Sequence, residues 1–140
     1  MRLNSIESKF VLLNTQLNTK LVKRVEGELS YHGISYTEFM ILHHLNGSSS
    51  KTMRRMDLAE KVGISASGVT RLLAPMEKNS LVGKEANPRD ARVSLVKLSK
   101  TGQRVYKESS VAFEHCAKSL TSGLSGNQLE KLIELSRRLL

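Results

Sequence analysis

The clearest chemistry in this sequence lies on one helical face between Ser67 and Ala74. Ser67, Thr70, Arg71 and Ala74 stand at i, i+3, i+4 and i+7, so on a helix they share a side. All are small or hydrogen-bonding except Arg71, and such a face can lie flat in the major groove of a DNA duplex. Arg71 can donate two hydrogen bonds to O6 and N7 of a guanine, and Thr70 can meet a base edge or a thymine methyl. Ser65 and Ser67, at the start of the same helix, suit a phosphate. A polar face by itself equally describes a solvated helix, so the surrounding spacing has to decide.

A second group is cationic. Arg54, Arg55, Lys84 and Arg89 are candidates for phosphate contacts, which supply salt-sensitive affinity without reading sequence. Asp90 and Arg92 stand two apart. On an extended strand they point the same way, and Asp90 is then expected to hold the Arg92 guanidinium in place. A positioned arginine suits a narrow minor groove. The plain alternative is an exposed ion pair worth under about 1 kcal/mol.

Other chemistries find less support. The glycine-rich phosphate loop, the zinc-protease helix motif and the nucleophile elbow are all missing from the sequence, so catalysis is not expected. The four histidines are His32, His43, His44 and His115. Adjacent His43 and His44 point to different sides of a helix, so neither a metal site nor any other cofactor is expected. The single cysteine, Cys116, shares a helix face with Ala112 and Leu120 and is read as inert core filler rather than a redox sensor. Binding to structured RNA relies on shape, stacked aromatics or 2′-hydroxyl contacts, and no aromatic residue lies between Met40 and Lys100.

These side chains need a scaffold. Leu58-Ala59-Glu60-Lys61-Val62-Gly63-Ile64-Ser65-Ala66 has the spacing of a helix-turn-helix. Ala59 is small where two helices approach, Gly63 can take a left-handed conformation, Ile64 plugs the corner and Ser65 caps the next helix. The first of the two helices is predicted from Arg55 or Met56. Leu58, Val62, Val69, Leu72, Leu73 and Met76 then supply a shared core. Pro75 removes a hydrogen bond to the Arg71 carbonyl, which predicts a kink or tightened turn there. Residues 81–84 and 93–98 read as two strands joined by the charged loop Glu85 to Arg92, a wing-like hairpin.

Around this lobe lie longer helices. Ile6, Phe10, Leu13, Leu17, Leu21, Val25 and Leu29 trace the apolar seam of one long helix ending near Gly33. Ser35 and Glu38 form a capping box for a short helix through Leu45. Two further helices are predicted at about Lys100 to Leu120 and Gly126 to Leu139, the second opened by Ser125 and Gln128. The long seam must be buried, against the C-terminal helices or a second copy. The fold class is therefore mainly α with a small β-hairpin wing. A single domain is expected over 1–140, with 1–34 and 100–140 as dimerisation helices and 35–99 as a winged helix-turn-helix lobe.

The chain has 140 residues, a formal charge of +9 and a pI of about 9.9, a balance that favours a polyanionic partner. Twelve Lys and Arg stand against five Asp and Glu between Lys51 and Arg104, so most of the excess lies in the helix-turn-helix region. No apolar run approaches a membrane span, the N-terminus lacks a signal-peptide pattern, and one cysteine makes no internal disulfide. These features predict a cytoplasmic protein without a membrane partner.

Leu58 to Leu73, Met76-Glu77-Lys78-Asn79-Ser80-Leu81-Val82, Asn87-Pro88-Arg89-Asp90-Ala91-Arg92-Val93 and Leu98-Ser99-Lys100-Thr101-Gly102 resemble the MarR family of winged helix-turn-helix transcriptional regulators. The resemblance spans essentially the whole chain. Its most specific parts are the Asp-x-Arg wing and the closing Leu-Ser-x-x-Gly. It implies a homodimer with interlocked terminal helices, a recognition helix in each major groove, and wings in the minor groove of double-stranded DNA. Arg71 and its neighbours would read bases, with Asp90 and Arg92 as the wing pair. Such a dimer is expected on a pseudo-palindromic operator, as a repressor if it covers promoter elements although the sequence is equally compatible with activation, and many relatives are released by a small aromatic or phenolic effector. Two positions depart from the family pattern: Ser80 stands where glycine is usual, and Ala91 where a second arginine is common. The alternative is a winged helix used for protein interaction without sequence reading.

Overall fold

The computed structural model describes residues 2–140. Helix α1 (Ile6–Leu29) starts where the Ser5 hydroxyl accepts from the Ser8 amide at 3.1 Å. A single 3₁₀ turn (Ser30–His32) leads to α2 (Tyr36–Gly47), which opens in the expected capping box. There the Ser35 hydroxyl accepts from the Glu38 amide at 3.1 Å and the Glu38 carboxylate from the Ser35 amide at 2.9 Å. Both exchanges satisfy amides that a helix start leaves without partners.

The helix-turn-helix follows the sequence closely. Helix α3 (Arg55–Val62) ends at Gly63, whose φ of 75° is the left-handed conformation that glycine adopts without penalty. Helix α4 (Ala66–Lys78) is capped by Ser65, its hydroxyl accepting from the Gly68 amide at 3.0 Å. Leu58, Val69, Leu73 and Met76 are fully buried against Ile41, Leu42 and Leu45 of α2, while Val62, Ile64 and Leu72 pack half-buried at the edge.

Pro75 corrects an expectation. Rather than tightening into a 3₁₀ turn, α4 continues as α-helix through Pro75 to Lys78. Pro75 falls in the last turn and is exposed, and Met76 beside it anchors the turn in the core. Only one hydrogen bond is forgone there, near an end where helix bonds are already sparse.

Three strands form where two were expected. β1 (Thr52–Arg54), β2 (Val82–Glu85) and β3 (Leu95–Leu98) make an antiparallel sheet in the order β1-β3-β2, with Met53 and Lys84 flanking Val96. β1 ties the entry of α3 to the wing. β3 begins at Leu95 rather than at residue 93, because the preceding residues form turns.

Ser80, between α4 and β2, has φ 61°. A residue with a Cβ is strained in that conformation by roughly 1–2 kcal/mol, which gives a physical basis for glycine being usual at this position. Ser80→Gly is expected to raise stability by about 1 kcal/mol, read as a higher denaturation midpoint at unchanged slope.

Helix α5 (Lys100–Leu120) begins at Ser99, whose hydroxyl accepts from the Gly102 amide at 2.9 Å and donates to the Leu81 carbonyl at 2.9 Å. Gly102 is buried so tightly that a Cβ there would lie 2.1 Å from the Leu81 carbonyl oxygen. The Leu-Ser-x-x-Gly motif thus clamps the base of the wing to α5. Val25 and Leu29, near the C-terminal end of α1, are buried, and α1 packs along α5. The N-terminal half of α1 is uncovered: Phe10, Leu13 and Leu17 remain 50%, 64% and 50% exposed. Helix α6 (Gly126–Arg137) has a complete capping box and no buried residue, with Leu132, Ile133 and Leu135 exposed. Among the described residues no helix is long and apolar enough to cross a membrane.

Candidate nucleic-acid interface

Helix α4 presents the side chains picked out from spacing. Ser67, Thr70, Arg71 and Ala74 are all exposed, opposite buried Val69, Leu73 and Met76. Small groups surround Arg71, so a flat surface such as a base-pair edge can approach it. The three hydroxyl groups expected nearby are already engaged. Ser65 Oγ accepts from the Gly68 amide and lies 3.1 Å from Ser67 Oγ, and Thr70 Oγ1 donates to the Ala66 carbonyl at 3.2 Å. An engaged hydroxyl keeps lone pairs free, and the Thr70 methyl stays available for apolar contact.

Beside this face, a groove of about 360 Å³ opens between the start of α3 and the wing. Arg54, Arg55, Lys84 and Arg92 line it together with Val93 and Ser94. Four cations from three segments thus converge, although 38 residues of sequence separate Arg54 from Arg92. β1 brings this about by pairing with β3. The charges differ in their partners. Arg54 makes two hydrogen bonds to Asp57, of 3.0 and 3.2 Å, and this bonding with the carboxylate's charge raises its pKa. Arg55 reaches toward Glu77, at 3.7 Å. Lys84 has no ion-pair partner among the described residues and projects from the sheet.

The wing tip departs from the expected geometry. Asp90 and Arg92 sit in a turn, not on an extended strand, with the Val93 amide bonding back to the Asp90 carbonyl at 3.1 Å. The Asp90 carboxylate accepts from the Arg92 backbone amide at 3.0 Å, and its contact with Arg92 Nε is longer, at 3.4 Å. Asn87 makes the same kind of turn, accepting from the Arg89 amide at 3.0 Å. Asp and Asn favour such turns because their short side chains imitate a backbone carbonyl. Asp90 therefore shapes the tip, and the Arg92 side chain extends from it 92% exposed. Arg89 is exposed on the same tip.

A second cavity, of about 380 Å³, lies between α2 and α5. Its walls include Tyr36, Phe39, His43, Tyr106, Phe113 and Glu114. Phe39 and Phe113 stack at 4.8 Å, and His43 Nδ1 lies 2.8 Å from the Tyr106 hydroxyl. Burial raises the Tyr36 pKa. The sequence held one unused signal for this site, the confinement of aromatic residues to the segments on either side of the helix-turn-helix.

Of the remaining sequence candidates only His43 belongs to one of these sites, the aromatic cavity. Cys116 is buried, as its helix face implied. His43 is exposed and His44 half-buried, their rings in edge contact at 5.2 Å. The His44 Nε2 is buried without a hydrogen-bond partner among the described residues, and burial, with the charges of His43 and Lys61, lowers its pKa. No group of three or more His, Cys, Asp or Glu among the described residues is placed to hold a metal ion.

Comparison with known proteins agrees with this architecture. The sequence pattern of the MarR family matches residues 34–94. The transcriptional repressor MprA of Escherichia coli K12 is 25% identical over 124 residues, covering 89% of this chain and 70% of that protein. AbsC, a MarR family transcriptional regulator from Streptomyces coelicolor, superposes with a TM-score of 0.88 at 20% identity, over 99% of this chain and 95% of that one. A mutant of Escherichia coli MarR in complex with operator DNA also gives 0.88 at 20% identity, over 100% of this chain and 99% of that one. The MarR family pattern thus falls on the helix-turn-helix and wing at 34–94, and over nearly its whole length the chain has the fold of those MarR family structures.

Proposed function

We propose that the protein is a homodimeric, sequence-specific DNA-binding transcriptional regulator, acting in the cytoplasm as a repressor on a pseudo-palindromic operator. The observation that carries this reading is the exposed Ser67, Thr70, Arg71 and Ala74 face on α4, flanked by the four-cation groove beneath the wing. Each subunit lays α4 in a major groove, and half-sites about 10 base pairs apart match the two-fold symmetry of a dimer. Arg71 specifies sequence, with Thr70 and Ser67 beside it. Lys84, Arg89, Arg54 and Arg55 meet phosphates, Ser65 presents the helix N-terminus to one, and Arg92, on the tip shaped by Asp90, reaches the minor groove. The likeness to a MarR protein solved with operator DNA supports the geometry.

The helices within 1–34 and 100–140 serve dimerisation, and 35–99 form the DNA-binding lobe. The uncovered seam of α1 and the exposed apolar residues of α6 support this division. The aromatic cavity between α2 and α5 is the site at which a small aromatic or phenolic effector would release DNA, since it joins the dimerisation helix α5 to the lobe. The role is one of binding rather than catalysis.

Two substitutions separate base reading from charge. Arg71→Ala is expected to cost about 1–3 kcal/mol on the preferred sequence and to relax preference at one base position. Lys84→Ala is expected to weaken all sequences alike and to flatten the salt dependence of the dimer by about 1.8 in log–log slope, one phosphate contact being lost from each subunit. Equilibrium titration of preferred and random duplexes at several salt concentrations measures both. Equal losses on both duplexes for Arg71→Ala would remove Arg71 from the base-reading role.

A further inference from the structure

Arg55 is the first residue of α3, yet its guanidinium reaches across to α4. Nη1 lies 3.5 Å from the Thr70 hydroxyl and Nη2 lies 3.7 Å from a Glu77 carboxylate oxygen. Thr70 and Glu77 are seven residues apart, two turns along one side of α4. Arg55 thus lies along the edge of the face that carries Arg71. The side chains of Arg55 and Glu77 remain 33% and 31% exposed, so a phosphate can reach the arginine that the carboxylate holds. Arg54 is similarly held by Asp57, and Arg92 contacts Asp90. Of the four cations in the groove, three therefore meet DNA with a carboxylate already beside them.

We propose that Glu77 is a specificity-determining residue: it withholds Arg55 from phosphates on DNA of arbitrary sequence and orients it along α4 on DNA that fits. This rests on the DNA-reading role proposed above. An arginine without a carboxylate neutralises a phosphate on any duplex and releases a counterion, strengthening specific and random binding alike. With Glu77 present, taking a phosphate only exchanges one anion for another and leaves the carboxylate unpaired beside the DNA backbone. On random DNA nothing offsets that loss. On a fitting sequence, α4 is seated by its base contacts, and Glu77 holds the Arg55 guanidinium next to Thr70 in the orientation that α4 dictates. Glu77 is a positioning residue, since it acts through Arg55 and need not touch DNA.

The test compares wild type, Glu77→Gln, Arg55→Ala, the double variant and Glu108→Gln, all as full-length protein. Glu108 pairs with Arg104 on α5 at 3.2 Å, so its replacement changes the net charge equally and also frees an arginine, away from the groove. The probes are the duplex most enriched by wild type from a randomised library and a random-sequence duplex of the same length. Glu77→Gln is expected to bind random DNA about 3–10-fold more tightly, with a salt slope steeper by up to about 1.8 as one arginine is freed in each subunit, while binding of the enriched duplex changes less than about 2-fold. The specificity ratio therefore falls. Glu108→Gln should leave the ratio unchanged, and Arg55→Ala should abolish most of the Glu77→Gln effect. A purely structural Glu77 would give the opposite sign on random DNA, weaker binding together with a lower melting temperature. An unchanged ratio, or an equal effect in the Arg55→Ala background, overturns the proposal. If wild type enriches no sequence, the DNA-reading role fails and this one fails with it; if wild type enriches one and Glu77→Gln keeps the ratio, only the Glu77 role fails.

Discussion

Replacing Leu13 and Leu17 together with glutamate is expected to convert a dimer into a monomer and to lower affinity for the preferred DNA by about 10²–10⁴-fold. The two leucines lie one turn apart on α1 and are 64% and 50% exposed, beside exposed Phe10. An apolar seam of this kind on a long helix is burial surface for which the chain supplies no cover of its own. A leucine taken from water contributes about 1.5–3 kcal/mol, so two leucines from each of two subunits form a large part of any dimer's stability. Glutamates there would bring four carboxylates into an otherwise apolar contact, and their burial would cost far more than pairing with the flanking Lys9 and Lys20 returns. The lobe itself lies elsewhere, packed around Leu42, Leu58 and Leu73, so the variant should keep its helical circular dichroism. The loss in affinity follows from engaging one half-site instead of two, since the second contact of a dimer is intramolecular. Sedimentation equilibrium and titration with an operator duplex measure the two effects. A variant that stays dimeric with unchanged affinity would place the dimer contact elsewhere.

Gly102→Ala is expected to cost about 3 kcal/mol, at the upper end of ordinary overpacking. Its Cβ would lie 2.1 Å from the Leu81 carbonyl oxygen and 2.7 Å from Leu98 Cδ1. A side chain can swing away, but the Leu81 carbonyl cannot. It accepts from the Ser99 amide at 3.1 Å and the Ser99 hydroxyl at 2.9 Å. Relief requires α5 to lift from the base of the wing, breaking those bonds and exposing Leu98 and Val82. Chemical denaturation should show a lower midpoint. Hydrogen exchange should show the amides of β2 and β3 losing protection before those of α2. Ordinary stability in Gly102→Ala would mean that the clamp between α5 and the wing yields easily.

Much of this was legible because it depends on neighbours in sequence. Ser35 with Glu38, Ser65 and Ser125 with Gln128 announced helix starts, since a cap bonds to an amide only three residues away. Gly63 marked the turn for the same reason. The exposed face around Arg71 followed from helical period alone. β1 escaped notice because it is three residues long and owes its existence to β3, about forty residues further on. At the wing tip the contact between Asp90 and Arg92 was foreseen, but the extended strand was not: both residues sit in a turn that the Asp90 carboxylate also shapes. At Pro75 the tightened turn did not form, since the burial of Met76 holds the last turn of α4 in place. Arg54 and Arg55 were recognised as cations of the site. Their ties to Asp57 and Glu77 were not, and that between Arg55 and Glu77 depends on how α3 crosses α4. The reason for Gly102 is likewise a contact with a distant carbonyl, invisible to any local rule.

The central claim is that α4 reads base sequence as part of a dimer. Its most direct test is selection of genomic fragments by the purified protein, sequenced after binding at about physiological salt with excess random competitor. Enrichment of a few inverted-repeat sites with half-sites about 10 base pairs apart is expected, together with loss of that enrichment in Arg71→Ala. Retention of DNA without sequence preference, equally strong in Arg71→Ala, would contradict it and leave a winged helix used for protein interaction.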